Sequence, residues 1–294
     1  MIRLKQSAGT SFFNESPDSI RQIPADYGTN KAFRIDARKS CDESTWCSRA
    51  ARKGRRAMDR QDKTAGQIPV DKKEIFRYLG YRHSAPDAEV DRIIDTCLLQ
   101  LQQVVTPRFM FREYPVESIW RVDGVENSRE PQTPRLRIAG MEIFSRSLSR
   151  NLRGCESVYL MAATLGLGPD RLIARASVTH MSRAVILQAA AAAMIESWCD
   201  IVNRQIAERA AAEGLYCRPR FSPGYGDFPL EYQRDFAQIL HLQKEIGVSL
   251  TESLLMMPSK SVTAIIGLSR EREGCVLHGC EECAKAADCA YSRT

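Results

Sequence analysis

The chain has 294 residues, of which 44% are hydrophobic and 27% charged, and its formal net charge is +6 at pH 7. This composition suffices for a substantial core. There is no run of about 18 apolar residues and no apolar secretory signal, so we expect a cytoplasmic protein without a membrane-spanning helix. The basic excess lies in residues 31–63, which hold eleven basic and five acidic side chains. The rest of the chain is balanced, which makes nucleic-acid binding by the globular part unlikely on charge grounds.

Patterning divides the chain into three parts. Residues 1–67 show no sustained hydrophobic period and predict a disordered basic extension. The run Ser48–Arg56 could bind an anionic surface, although a solvated tail explains it more simply. Residues 68–270 predict one mixed α/β domain, and residues 271–294 form a cysteine-rich tail.

Hydrophobic spacing within residues 68–270 predicts alternating helices and strands. The predicted helices are Asp71–Leu79, one that opens at Ser84, 145–153, Ser182–Ala212, Tyr232–Glu245 and a short one at Leu250–Ser253. The predicted strands are 108–112, 135–138, Ser157–Ala163 and Ser261–Leu268. Helix Ser182–Ala212 is apolar on most sides, which predicts a central, buried position. Glu196 lies within it and is either a paired functional carboxylate or a surface-facing one.

A partial glycine pattern follows the strand Ser157–Ala163. Gly166 and Gly168 are separated by one residue, as in loops that bind phosphate, but the third glycine is missing. We therefore predict a simple strand-to-helix turn at this point.

The most informative segment is Arg218–Asp227, which reads Arg-Pro-Arg-Phe-Ser-Pro-Gly-Tyr-Gly-Asp. Its prolines fix φ, and its glycines allow a positive φ or close approach of a ligand. Its arginines offer planar donor forks for a carboxylate or phosphate, and its tyrosine can stack on a ligand. The pattern predicts a site for a small anionic or zwitterionic ligand, and a proline-rich connector between helices is the alternative.

The order of these residues is more specific than their composition. Arg220-Phe-Ser-Pro-Gly-Tyr225, then a predicted helix and Leu250-Thr-Glu-Ser253, resembles the activation domain of cobalamin (vitamin B12)-dependent methionine synthase, in a stand-alone form with a cysteine-rich C-terminus. The resemblance spans roughly residues 68–270 in layout and is sharp from about 184 to 262. It implies an α+β fold in which a long central helix packs on an antiparallel or mixed sheet.

The resemblance also implies a function. Members bind S-adenosylmethionine and support reductive remethylation of cobalamin in methionine biosynthesis. The cobalamin would sit on a partner, a methionine synthase or related corrinoid protein, with a flavodoxin- or ferredoxin-type electron donor. Carried over by position, the ligand contacts fall on Glu196, Arg220, Ser222, Gly224 and Tyr225. No catalytic nucleophile is implied, so the chain is either a methyltransferase component or a non-catalytic docking or S-adenosylmethionine-sensing module.

Two features depart from the family pattern. After Tyr225 the chain has Gly226-Asp-Phe-Pro229 where the family usually has a Pro-Ala-Cys-Pro-like run. The aromatic-rich segment after the last strand, with a ligand-contacting tyrosine, is replaced by Ser269–Gly274 and the cysteine tail. These departures predict weaker or altered binding of S-adenosylmethionine.

Four cysteines are concentrated in the tail, at positions 275, 280, 283 and 289. The set Cys275, Cys280, Cys283 and Cys289 could supply four thiolates to tetrahedral zinc or to an iron–sulfur cluster. A flexible reduced tail, or a redox disulfide between Cys280 and Cys283, is the alternative. The four histidines of the chain are scattered and predict no metal or catalytic centre.

Overall fold

The computed structural model describes residues 59–62, 68–81, 87–119, 135–272 and 275, all within one compact unit. For residues 59–62 and 118–119 only the backbone is described. The predictions for residues 1–58 and for tail positions 276–294 lie outside the described residues. The division of the chain at residues 67 and 270 therefore stays a prediction.

The described residues form nine strands, seven α-helices and one 3-10 helix. The strands are β1 (Asp59–Asp62), β2 (Arg108–Ile119), β3 (Arg135–Ile138), β4 (Met141–Phe144), β5 (Ser157–Thr164), β6 (Tyr216–Cys217), β7 (Ser249–Leu250), β8 (Met256–Met257) and β9 (Ser261–Ser269). The helices are α1 (Lys72–Leu79), α2 (Ala88–Val104), α3 (Arg146–Asn151), α4 (Gly168–Thr179), α5 (Met181–Ala212), α6 (Gln233–Ile239) and α7 (Leu242–Ile246), with a 3-10 helix at Leu230–Tyr232.

One antiparallel sheet organises the fold. Its strand order is β4–β3–β2–β5–β9–β6, and β1 pairs with the first part of β2. The central register runs from Thr164 opposite Ser261 to Ser157 opposite Leu268. Strands β7 and β8 form a separate two-stranded sheet. Together with the long helix α5, this arrangement confirms the predicted α+β class.

Both faces of the sheet are covered, because side chains alternate along each strand. On β5, Tyr159, Met161 and Ala163 belong to a core shared with α1, α2, α4 and α5. Their neighbours Val158, Leu160 and Ala162 belong to a second core shared with α3, α6 and α7. The sheet is therefore the middle of three layers.

Helix α5 is the central helix that the sequence predicts. By length and hydropathy it could cross a membrane, but 61% of its most apolar window is buried inside the fold. Leu187, Met194 and Val202 are fully buried in the first core. The apolar character of α5 is therefore explained by its packing against the sheet and against the helices α1, α2 and α4.

Several local predictions are confirmed and three are wrong. Helices α1 and α2 begin at Asp71 and Asp87, whose side chains accept from the second backbone N–H that follows. The single helix predicted over Tyr232–Glu245 is broken at His241, which has a φ of +52°. The helix predicted at Leu250–Ser253 is the end of β7 and a turn. The strand predicted at 108–112 alternates aromatic with charged or thioether side chains, which indicates one exposed face, but its start is buried on both faces because Met110 lies in the second core.

The glycines at 166 and 168 serve packing. Strand β5 ends at Thr164 and α4 begins at Gly168, which confirms the predicted strand-to-helix turn. A Cβ atom on Gly166 would lie 2.1 Å from Thr106 Oγ1, and one on Gly168 would lie 1.9 Å from the Val104 carbonyl oxygen. Side chains at these positions would collide with the connection between α2 and β2.

Candidate functional site

The arginine-rich loop is positioned by the free edge of strand β9. After β6, the backbone N–H of Arg218 donates to the Gly267 carbonyl at 2.8 Å. Phe221 then exchanges two backbone hydrogen bonds with Ile265, at 2.9 and 2.8 Å. Phe221 enters the second core, so the preceding residue, Arg220, points to the opposite face, where α5 lies.

The Pro-Gly-Tyr part of the loop is a compact turn. Tyr225 N–H donates to the Ser222 carbonyl at 3.1 Å, and Gly224 N–H donates to the Phe228 carbonyl at 2.8 Å. Gly224 has a φ of +85°, which a residue with a side chain would adopt only with strain. The Gly224 N–H is thus engaged, which leaves the carbonyl oxygen for a ligand.

Arg220 meets two carboxylates of helix α5. Its Nη2 lies 3.0 Å from Asp200 Oδ1 and 3.5 Å from Glu196 Oε2. The side chains of Glu196 and Arg220 are only 15% and 18% exposed. A spacing of four residues places Glu196 and Asp200 on one face of the helix. The sequence could not establish that Glu196 and Arg220 converge, and the structure brings them together.

Burial and neighbouring groups shift the pKa values of Arg220 and Cys199 in this cluster. Burial alone would lower the pKa of Arg220, but the neighbouring Cys199, Glu196 and Asp200 raise it. Burial raises the pKa of Cys199 to about 12, and the guanidinium only partly opposes this shift. The cluster therefore holds a permanently charged guanidinium beside a neutral thiol and two carboxyl groups.

Two buried polar side-chain atoms, one on the arginine-rich loop and one on α5, lack partners among the described residues. Arg220 Nη1 and Asn203 Oδ1 are both buried and make no hydrogen bond. Asn203 lies seven residues after Glu196, on the same face of α5. A buried donor without a partner costs free energy unless a ligand or water satisfies it. The cluster can thus accept a carboxylate at Arg220 and donors at its oxygens.

The other predicted contact residues lie on the loop next to Arg220. Ser222 is partly buried, and Gly224 and Tyr225 are exposed. The Tyr225 ring packs edge-on against Phe221, with 5.2 Å between centroids, and stays 45% exposed. The Tyr225 ring therefore packs on the side of the second core, whereas Glu196 and Arg220 pair on the side of α5.

Asp227, within the segment that departs from the family pattern, has a structural role. Its carboxylate accepts from Ser145 Oγ at 2.6 Å and from the backbone N–H groups of Arg146 and Ser147 at 2.8 and 3.0 Å. Desolvation acts to raise the pKa of Asp227, but these hydrogen bonds lower it to about 2. The loop is thereby tied to the first turn of α3.

Sequence reasoning missed Asp200 and the role of Asp227. Asp200 could have been found by following Glu196 along its helix face by a step of four residues. Asp227 gave no such signal, because its partners at 145–147 are about eighty residues away.

The described residues give no support to a metal centre. No three histidine, cysteine, aspartate or glutamate side chains among them are grouped so as to hold a metal ion. Cys275 is described, and it donates from Sγ to the Glu271 carbonyl at 3.4 Å. Cys280, Cys283 and Cys289 lie outside the described residues, so the tail site stays a prediction.

Sequence comparison identifies the segment that holds this site. Residues 158–274 match the family model described as vitamin B12 dependent methionine synthase, activation domain. This segment of the chain is therefore similar to the activation domain of that family. The matched segment includes Glu196, Arg220 and Tyr225 and ends just before Cys275. No curated protein matches the chain in a sequence search.

A solved structure shares the fold of this chain. It is the crystal structure of the MetH reactivation domain bound to AdoHcy. The two chains superpose with a TM-score of 0.50 at 17% sequence identity, over 72% of this chain and 79% of the other. At this identity the similarity establishes the architecture only, so the ligand of this chain has to be argued from its own residues.

Proposed function

We propose that this chain is an activation domain that binds S-adenosylmethionine at the Arg220 cluster and supports reductive remethylation of cobalamin on a partner. The partner is a B12-dependent methionine synthase or a related corrinoid protein, and the electron comes from a flavodoxin- or ferredoxin-type donor. One electron and S-adenosylmethionine convert cob(II)alamin to methylcobalamin, with transfer of the methyl group from sulfur to cobalt and release of S-adenosylhomocysteine. The match of residues 158–274 to the family model and the AdoHcy bound to the structurally similar domain support this proposal.

The observation that carries the proposal is the unpartnered Nη1 of Arg220. A buried guanidinium nitrogen beside a glycine-containing turn suits the carboxylate of an amino-acid end. Glu196 can accept from the ammonium group of the same end. Ser222, Gly224 and Tyr225 then border the adenosine end. The protein would contribute mainly by positioning, because methyl transfer requires sulfur, methyl and cobalt to be in line.

A calorimetric titration of S-adenosylmethionine into the full chain, purified without oxygen, tests the proposal. We expect binding on the order of micromolar and a loss of at least about tenfold in Arg220→Ala and Glu196→Gln, because each removes a charged contact. Arg204→Ala is the matched control, since Arg204 is exposed on the same helix. Absence of binding to the intact chain would refute the proposed ligand.

The alternative is a non-catalytic module that docks on the corrinoid protein or senses S-adenosylmethionine. The exposed apolar side chains of Tyr225 and Leu230, which follow Arg220 in the chain, favour a contact with another molecule. Remethylation of cob(II)alamin on the partner separates the two functions. If Arg220→Ala abolishes remethylation and leaves docking intact, the activation role stands. If the intact chain docks and never supports remethylation, the docking module is correct.

A further inference from the structure

Arg220 does not share its hydrogen bonds equally between its two carboxylates. The distance from Nη2 to Asp200 is 3.0 Å, within the usual range, whereas the distance to Glu196 is 3.5 Å, at its limit. Asp200 is therefore the stronger partner of the guanidinium. Glu196, which the family resemblance points to as a ligand contact, is the more loosely held of the two.

The stronger hydrogen bond to Asp200 also sets the orientation of the guanidinium group of Arg220. The guanidinium group is planar, so a hydrogen bond that fixes Nη2 also fixes the direction of Nη1. Nη1 is buried and without a hydrogen-bond partner among the described residues. Asp200 lies on the same face of α5 as Glu196, one turn further on, and so holds the guanidinium from the side of the helix.

We propose that Asp200 is the positioning residue of the site: it holds Arg220 so that Nη1 meets the carboxylate of the ligand's amino-acid end, and it leaves Glu196 available for the ammonium group. This inference rests on the proposed function, because it assigns roles within the same site. It names the recognised chemistry as an α-amino acid group attached to an adenosyl thioether or sulfonium. Asp200 acts through Arg220 and touches no reacting atom.

Three probes that lose the charged groups of the amino-acid end one after the other test this division of roles. S-adenosylmethionine has both the carboxylate and the ammonium, decarboxylated S-adenosylmethionine keeps only the ammonium, and 5′-methylthioadenosine has neither and also lacks the sulfonium charge. Asp200→Asn should weaken S-adenosylmethionine about tenfold and leave the other two unchanged, because only the carboxylate depends on Arg220. Glu196→Gln should instead weaken both probes that carry the ammonium. Glu208→Gln, which removes an exposed carboxylate from the same helix, is the control.

The double variant Asp200→Asn with Arg220→Ala provides a second test. If Asp200 acts through Arg220, the double variant binds S-adenosylmethionine no more weakly than Arg220→Ala alone, since coupled residues are not additive. Equal loss for all three probes in Asp200→Asn, or no loss for any, would overturn the inference while leaving the proposed function in place. Failure of the intact chain to bind S-adenosylmethionine would remove the proposed function, and the inference with it.

Discussion

At the scale of single residues, Asp227 determines where the arginine-rich loop Arg218–Asp227 lies. Three hydrogen bonds join it to Ser145 Oγ and to the first backbone N–H groups of α3. The loop that carries Arg220 is therefore held at both ends, by β9 before the turn and by α3 after it. The family-atypical residues after Tyr225 thus have a structural explanation that does not involve a ligand.

We expect Asp227→Ala to lower the free energy of unfolding by about 1 kcal/mol at neutral pH, because it removes the acceptor for these donors. The folded-state pKa of Asp227 is about 2, against an ordinary value of 3.8. Its contribution is therefore present above 3.8 and is lost as the pH falls through about 2. Urea denaturation of wild type and Asp227→Ala at several pH values between 3.8 and about 2 should show that the difference between their free energies of unfolding decreases as the pH falls.

Glu231→Ala is the control for this measurement, since Glu231 is an exposed carboxylate on the following 3-10 helix. It should change the stability little at any pH. If the free energies of unfolding of wild type and Asp227→Ala differed by the same amount down to the lowest pH, the ionised carboxylate would not be the stabilising group.

At the scale of elements, the sequence predicted most of what depends on local pattern. Strands β5 and β9 and the helix α5 were predictable because their apolar side chains recur at a clear period. The break at His241 was not predictable, because the positive φ of this exposed residue leaves no mark in the apolar spacing of Leu240 and Leu242, which are both buried. The pairing of Glu196 with Arg220 could not be predicted from the sequence either, since it depends on how β9 positions the arginine-rich loop.

The turn before α4 allows a test of whether Gly168 is required for packing or for binding a phosphate. Gly168 does not have a positive φ, so the cost of Gly168→Ala comes from the collision with the Val104 carbonyl. We expect a loss of about 1–3 kcal/mol or more in the free energy of unfolding, as for other overpacked positions. Chemical denaturation of the purified variant measures this loss directly.

Gly154→Ala is a suitable comparison, because a Cβ atom there meets nothing within 4 Å and only the positive φ of +74° opposes it. Its expected cost is about 1 kcal/mol. If Gly168→Ala were no more costly than Gly154→Ala, the close approach of Val104 would not be what requires glycine, and a phosphate-binding role would have to be considered again.

At the scale of the whole molecule, the ligand site and the cysteine tail are separate in sequence and in chemistry. Thiolates, not thiols, bind metals. Burial raises the pKa of Cys97 and Cys155, and raises that of Cys199 and Cys217 to about 12. These cysteines of the folded domain are therefore poor ligands at neutral pH, and any bound zinc or iron would have to depend on the tail.

We therefore predict that metal analysis of the full chain, purified without oxygen, finds zinc or iron that is lost in the double variant Cys280→Ser with Cys283→Ser. The same variant should bind S-adenosylmethionine as the intact chain does, because the Arg220 cluster lies within residues 196–220 and shares no residue with the tail. Cys97→Ser, which changes a buried thiol of the first core, is the control for unspecific metal uptake. Metal retained by the tail variant and lost in Cys97→Ser would place the ligands in the folded domain. A tail variant that loses both metal and S-adenosylmethionine would instead show that the two sites are coupled and would contradict their independence.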